Sequence, residues 1–283
     1  MKQFLFGMFV IVSMALLNAC IPSPPVDDIQ STPVYTETFT PTLTIEPTKT
    51  QTPNTPTPFL QSQICSPLKT ESLQSIKEII TQPFKQPRMG IDDGPPTHHG
   101  VDFSHYRRGD LISIEGVTVQ SVLAGEVATI INNQYPYGYT VIIETLIDAI
   151  DPELLEKINP PIQSPTVIPD PKFNWEPQEF PFELSDQKRS IYIVYAHLLS
   201  YPEIHVGEEI QCGQQVGQVG NTGDSSNPHL HFESRIGPSG ARFESMAYYT
   251  TQSTKSERYN YLVWRISNLF QLFDPMLLLN AYE

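Results

Sequence analysis

Three stretches of the chain set histidine beside other acid–base or metal-binding residues: His98-His99-Gly100-Val101-Asp102, Tyr195-Ala196-His197-Leu198 and Asn227-Pro228-His229-Leu230-His231-Phe232-Glu233. Residues i and i+2 of a strand project from one face. His229 and His231 are therefore expected to point into a common site, and Tyr195 and His197 to share a face of their own strand. His98 and Asp102 lie four apart around a glycine, so a turn can bring an imidazole and a carboxylate to one ion. Two imidazole nitrogens and a carboxylate oxygen suit zinc at ~2.0 to 2.2 Å, and a catalytic zinc keeps its fourth position for water. Five such side chains exceed what the metal needs by a pair of imidazoles. A structural zinc would close all four positions, whereas hydrolysis needs an open one with acid–base groups beside it. Zinc lowers the pKa of its water to about 7, and an imidazole with an ordinary pKa near 6.5 can take that proton at neutral pH.

These residues need a scaffold, and short strands supply it. Leu111 to Glu115, Val117 to Leu123, Glu126 to Ile131, Tyr139 to Leu146, Ile191 to His197 and His229 to Ile236 are β-branched or aromatic runs punctuated by glycines. The pattern predicts a mainly antiparallel β domain over 65–283. A short helix is expected over Glu71 to Ile80, capped by Thr70, with Leu73, Ile76 and Ile80 on one face. The Pro-rich residues 148–190 read as a loop insertion between two sheet strands, and 238–269 as a second insertion. Gly213, Gly217, Gly220 and Gly223 lack the G-x-G-x-x-G spacing and lead into a strand, so tight turns explain them better than a dinucleotide cradle.

Upstream of the domain, Lys2 and the apolar run Phe4 to Leu17 form a secretory signal over 1–19, too short to span a bilayer with flanks. It ends on Leu17-Asn18-Ala19-Cys20, which resembles a bacterial lipobox and implies a lipid anchor on the Cys20 sulfur. Residues 20–64 are rich in Thr and Pro, with almost no periodic apolar face, and are expected to be a disordered tether. The 27 prolines of this 283-residue chain fit a protein that is part tether and part loop. Lys and Arg total 17 against 31 Asp and Glu, a net charge of -14 that repels phosphate backbones, so nucleic acid is not an expected partner. Three cysteines are too few for a disulfide framework. With Cys20 lipidated, Cys65 and Cys212 remain, either as an intradomain disulfide or as free buried thiols.

The ordered set of motifs resembles the zinc metallopeptidases of the lysostaphin and LytM type, family M23. His98-His99-Gly100-Val101-Asp102 matches their H-x-G-[IV]-D, Tyr195-Ala196-His197-Leu198 their second motif, and Pro228-His229-Leu230-His231-Phe232-Glu233 their P-H-L-H-F-E. Gly207, the Gly213 to Gly217 turn and Gly220-Asn221-Thr222-Gly223 match the family's turn-rich segment, and Phe273-Asp274-Pro275-Met276 its closing strand. The resemblance implies an antiparallel β-sheet groove domain with one zinc held by His98, Asp102 and His231. It leaves His197 and His229 as the catalytic pair. His229 is expected to accept the proton of the zinc-bound water and His197 to hydrogen-bond the tetrahedral oxyanion, with the roles exchangeable. The implied substrates are peptide cross-links of bacterial peptidoglycan, cleaved by an enzyme lipid-anchored on the outer face of a membrane.

His99 lacks the four-residue spacing to Asp102 and is set aside as a ligand. His105 and His205 are read as surface residues, Asp92, Asp93 and Asp110 as loop carboxylates, and Glu233 as a structural residue facing away from His231. Some relatives have lost ligands and regulate other wall hydrolases, so a catalytically silent, wall-binding protein is the competing reading. A zinc peptidase acting on secreted protein is a third.

Overall fold

A computed structural model describes residues 62–86, 97–105, 113–161, 188–248 and 250–282. The expected signal segment, Cys20, the tether up to residue 61, residues 162–187 of the first insertion, and Asp92, Asp93 and Asp110 lie outside these residues.

Strands dominate. β1 (Ile80–Gln82), β2 (Gly100–Phe103), β3 (Thr118–Gln120), β4 (Gly125–Gln134) and β5 (Gly138–Leu146) are followed by helix α1 (Pro152–Ile158). Then come β6 (Arg189–Leu198), β7 (Glu209–Ile210), β8 (Gln215–Gln218), β9 (Leu230–Pro238), helix α2 (Lys255–Arg265), β10 (Gln271–Phe273) and helix α3 (Met276–Asn280). The main sheet runs β1-β2-β9-β6-β5-β4-β7 and is antiparallel at every described pairing. Along one edge of β9, β2 pairs with Leu230 to Glu233 and β10 takes over from Ser234 to Ile236. β3 and β8 form a separate two-stranded ribbon.

Alternation divides the apolar side chains between two cores. Ile191, Ile193 and Tyr195 of β6 join Leu230 and Phe232 of β9 in one cluster, which also takes Val101, Phe103, Ile76, Ile79 and Val119. Tyr192, Val194 and Ala196 face the other way and meet Tyr261, Trp264 and Phe270 from the C-terminal segment. Burying each such side chain contributes about 1.5–3 kcal/mol, so both faces of the central strands are covered over much of their length.

The segments that interrupt the sheet have structure of their own. The stretch expected to be loop from 148 starts with a 3-10 turn at Ile147–Ala149 and then α1, whose Asp151 side chain accepts from the Glu153 N–H while Leu154 and Ile158 are buried. Pro at its first position suits a helix start, where the missing N–H has no partner to lose. In the second insertion α2 opens with a full capping box between Thr254 and Glu257 and lays Tyr261, Leu262, Val263 and Trp264 into the core. The helix expected over 71–80 shrinks to a 3-10 turn at Ile76–Ile79 because Ile80 adopts extended geometry and leads into β1. The described part of the expected strand at 111–115 forms no strand: residues 113–114 are irregular and 115–116 make a turn, with Gly116 at a positive φ. The closing segment holds a strand only through Phe273, after which Pro275 starts α3.

Cys65 and Cys212 are joined, with Cα atoms 5.7 Å apart across 147 residues of sequence. The bond ties the domain's entry segment to the turn before β8, and the Cys65 N–H also donates to the Val122 carbonyl. Closing a loop of this length restricts the unfolded chain and contributes about 2–4 kcal/mol. Replacing both cysteines by alanine is therefore expected to lower the midpoint of thermal unfolding by on the order of 10 °C. Circular dichroism melts with and without reductant measure this, and an unchanged midpoint would show that the bond does not support the fold.

Candidate metal centre

The register of β2 on β9 sets Asp102 directly opposite His231, so both side chains leave the same face of the sheet. Asp102 Oδ1 lies 2.9 Å from His231 Nδ1 and 3.2 Å from His98 Nε2, and the two ring nitrogens are 3.2 Å apart. His98 stands just before β2, where its backbone exchanges hydrogen bonds with Lys85 at 2.9 and 3.0 Å. Gly100 makes the approach possible: a Cβ there would come within 2.5 Å of the Phe232 carbonyl oxygen and 2.8 Å of the His231 ring.

The outer atoms of the same rings fix which nitrogen points inward. His98 Nδ1–H donates to the Pro83 carbonyl at 3.1 Å, leaving a lone pair on Nε2 in the neutral ring. His231 Nε2–H faces Glu233 Oε2 at 3.5 Å, which leaves Nδ1 turned to Asp102. With both rings neutral, two imidazole lone pairs and a carboxylate oxygen thus converge and cannot satisfy one another. Around a tetrahedral zinc, ligand atoms at ~2.0–2.1 Å from the ion stand about 3.3 Å apart, close to the 2.9 and 3.2 Å found. The triad fits a small divalent cation, and it is the group of this kind among the described residues.

Glu233 departs from the expected geometry. It lies two residues beyond His231, not one, so alternation places it on the same face. There it is fully buried and supports the ligand ring. Burial favours its neutral form, but the adjacent Arg235 guanidinium holds it well below the usual carboxylate range. Arg235 Nε donates to Glu233 Oε1, its Nη1 to the carbonyls of Trp264 and Phe270, and its Nη2 to His99 Nδ1 at 2.9 Å. His99 is accordingly a buried partner of Arg235 rather than a ligand. Tyr137, from the turn between β4 and β5, donates its hydroxyl to Glu233 Oε2 at 3.1 Å. Glu233, expected to be structural, stands on the face opposite to the expected one, and Arg235 and Tyr137 carry no signal in the sequence, because nothing there links a central-strand carboxylate to a hairpin tip and a distant helix.

The remaining histidines reach the same cavity by different routes. His229 precedes β9 and is bridged to Gly220. Its Nδ1–H donates to the Asn227 carbonyl at 2.8 Å, and Nε2 lies 3.7 Å from Asp102 Oδ1. His197 does not share a face with Tyr195. Tyr195 is in the opposite core, where its hydroxyl accepts from the Val122 N–H at 2.8 Å. His197 has φ 59°, and this left-handed residue near the end of β6 breaks the alternation and swings its ring toward the site, 4.7 Å from the His229 ring and 5.8 Å from that of His231. Its Nδ1–H donates to the Thr222 carbonyl at 2.7 Å. Thr222 is held in turn by the Tyr139 N–H and the Leu198 carbonyl, and Gly223, at φ 73°, packs against the backbone of Pro136 and Gly138. The glycine-rich turn read from sequence thus locates an imidazole. His105, expected at the surface, is buried against Glu71 at 3.1 Å, whereas His205 is exposed.

The five side chains line a cavity of about 490 Å³ with Tyr137, Asp224, Ser225 and Arg265 among its other walls. Burial, reinforced by the charges of His231 and His229, pushes His197 down to about 3, so its ring is neutral at physiological pH. Burial alone would also lower His231, but hydrogen bonds to Asp102 and Glu233 outweigh it and raise that ring to about 9. Burial works against ionised Asp102, yet its hydrogen bond from His231, with the His98 ring beside it, keeps it far below the usual carboxylate range.

A cation entering this site must displace the His231 proton. Below about pH 9 the metal-free ring holds that proton at Nδ1. Zinc uptake at pH 7.5 is therefore expected to release about one proton from His231, and apparent affinity to rise about ten-fold per pH unit toward pH 9. Titration calorimetry in buffers of different ionisation enthalpy reads the proton directly, and uptake without proton release would contradict the assignment of His231 as ligand.

Comparison with known proteins bears on the same residues. The model of Peptidase family M23 matches residues 184–243, which hold β6 to β9 and three of the five site residues, His197, His229 and His231. Among solved structures, the chain is similar to the catalytic domain of the antimicrobial peptidase lysostaphin from Staphylococcus simulans, at 20% identity over 58% of this chain and 86% of that one, with a TM-score of 0.35. It is also similar to a zinc-containing peptidase from Vibrio cholerae, at 20% identity over 62% of this chain and 37% of that one, with a TM-score of 0.35. A putative M23 peptidase from Pseudomonas aeruginosa aligns at 15% identity over 79% of this chain and 55% of that one, with a TM-score of 0.33. The chain thus spans well under two thirds of the latter two proteins. The histidine motifs and the family match meet in one stretch: residues 184–243 are similar to Peptidase family M23.

Proposed function

We propose that the chain is a zinc-dependent endopeptidase that hydrolyses peptide cross-links of bacterial peptidoglycan. The observation that carries this reading is the convergence of His98 Nε2, Asp102 Oδ1 and His231 Nδ1 beside two further imidazoles that their own contacts hold out of the ligand set. When bound, zinc supplies a Lewis acid for the scissile carbonyl and makes water acidic enough to ionise near neutral pH.

The chain's own groups do the rest. His229, with Nδ1 on the Asn227 carbonyl, turns Nε2 to the cavity as the proton acceptor, 3.7 Å from the Asp102 carboxylate. Neutral His197, with Nδ1–H on Thr222, likewise presents a bare Nε2. A bare nitrogen cannot donate to an oxyanion, so in the resting site we assign His197 to accepting a hydrogen of the attacking water and orienting its lone pair. It can contact an oxyanion only after it gains a proton. General-base assistance of this kind contributes about 10²–10⁴ in rate.

Digestion of purified peptidoglycan, followed by mass spectrometry of soluble fragments, tests the reading. Wild-type protein is expected to bind about one zinc per chain and to release muropeptides. His231→Ala is expected to lose both properties. His197→Ala and His229→Ala are expected to keep the metal and lose about 10²–10⁴ of the rate. Release of fragments by His231→Ala at the wild-type rate would sink the assignment, and full zinc occupancy without release would favour the silent wall-binding alternative.

The location follows from sequence alone. We propose export by residues 1–19 and lipid anchoring at Cys20 on the outer face of a bacterial membrane. Metabolic labelling with a fatty acid should tag the wild-type chain and leave Cys20→Ser unlabelled; equal labelling of both would remove the anchor.

A further inference from the structure

The cavity has a cationic wall that the residues matched to family M23 do not supply. Arg265, the last residue of α2, lines it from a segment beyond residue 243 and is the sole Lys or Arg among the described lining residues. Its guanidinium is held in place: Nη1 donates to the Tyr261 hydroxyl at 2.7 Å, and the group lies 5.3 Å from the centre of that ring. Tyr261 stands 6.3 Å from Tyr137, which stands 6.3 Å from His231, so the guanidinium sits two rings away from a metal ligand along one wall.

The chain carries a net charge of -14, which disfavours approach of an anionic peptide in general. Arg265 places one positive charge inside the cavity, whose other walls carry the carboxylates Asp102 and Asp224. A half-buried guanidinium presents a planar fork of donors matched to carboxylate, and partial exclusion of water strengthens such charge-assisted bonds. We propose that Arg265 is a specificity-determining residue that receives a carboxylate of the peptide substrate, supplied by its C-terminus or by an acidic side chain. This rests on the peptidase reading and narrows it to anionic peptides. α2 would then do more than cover the sheet, since its final turn would set which peptides bind well.

Equilibrium binding tests this on the full chain, with and without added zinc. The probes are an oligoalanine peptide as free acid, the same peptide as C-terminal amide, and the amide with one internal glutamate. Wild-type protein is expected to bind at least one carboxylate-bearing probe about ten-fold more tightly than the neutral amide, and which one does so identifies the source. Arg265→Gln should abolish the preference, Arg265→Lys should keep part of it, and Tyr261→Phe, which frees the guanidinium from its hydroxyl, should weaken it. Unchanged melting midpoints would separate these effects from misfolding. Equal binding of all three probes by wild type, or a preference that survives in Arg265→Gln, would overturn the proposal. Because the metal-free measurement needs neither zinc nor hydrolysis, failure of the peptidase reading would leave this comparison legible.

Discussion

Antiparallel pairing of Asp102 with His231 forces a carboxylate and an imidazole to within 2.9 Å of each other in a nearly water-free place. Burial penalises the charged forms of both groups, and it costs several kcal/mol per unpaired ion. The arrangement is tolerable because the penalty is met locally: the proton of His231 faces Asp102 Oδ1 at 2.9 Å, and Glu233 faces the far nitrogen of His231. In the metal-free protein the proton on His231 neutralises the cluster. A divalent cation performs that task with two positive charges and satisfies three lone pairs at once. The strand register thus makes a site that holds a proton on His231 up to about pH 9 without a metal and gives that proton up when a cation takes its place.

That constraint spreads outward through Glu233. Its second oxygen faces Arg235, which is itself buried, and Arg235 spends its remaining donors on the carbonyls of Trp264 and Phe270 and on His99. The guanidinium also lies 5.1 Å from the centre of the Trp264 ring. The C-terminal segment after β9 is consequently part of the support of the ligand ring. Removing Trp264 would withdraw apolar cover from the sheet and would also loosen the carbonyls that hold Arg235 against Glu233. Breaking a buried charge pair is strongly destabilising because one charge is left uncompensated, so the segment and the site stand or fall together.

Much of this was legible in the sequence, for a reason that also marks its limit. The strands around His197 and His231 announce themselves because β-branched and aromatic residues run between glycines, and the His98 to Asp102 spacing survives because both ends are tied to neighbouring strands. Period-two alternation then fails in two instructive ways. At His197 a left-handed φ reverses the face that alternation assigns, and no local residue type advertises it, since histidine there is not glycine or asparagine. At Glu233 the rule itself gives the right face once the spacing from His231 is taken as two. His105 shows a different limit: its burial depends on Glu71 from a segment more than thirty residues earlier, which no short-range pattern carries. The helix expected at 71–80 yields to β1 because the edge of β2 offers Ile80 a strand partner, a tertiary gain that outweighs helical periodicity.

The two imidazoles outside the ligand set show how backbone decides chemistry. Each donates Nδ1–H to a carbonyl in the same glycine-rich region, Thr222 for His197 and Asn227 for His229, so each turns Nε2 to the cavity. Their difference lies in what stands behind Nε2. His229 has the Asp102 carboxylate at 3.7 Å. His197 has burial and two neighbouring imidazoles, which oppose positive charge on the ring. Two rings of identical type and similar tethering thereby stand in different surroundings, and those of His197 keep it neutral. That asymmetry arises from the β8–β9 turn and the kinked end of β6, so the residues that set it are glycine and threonine rather than the histidines themselves.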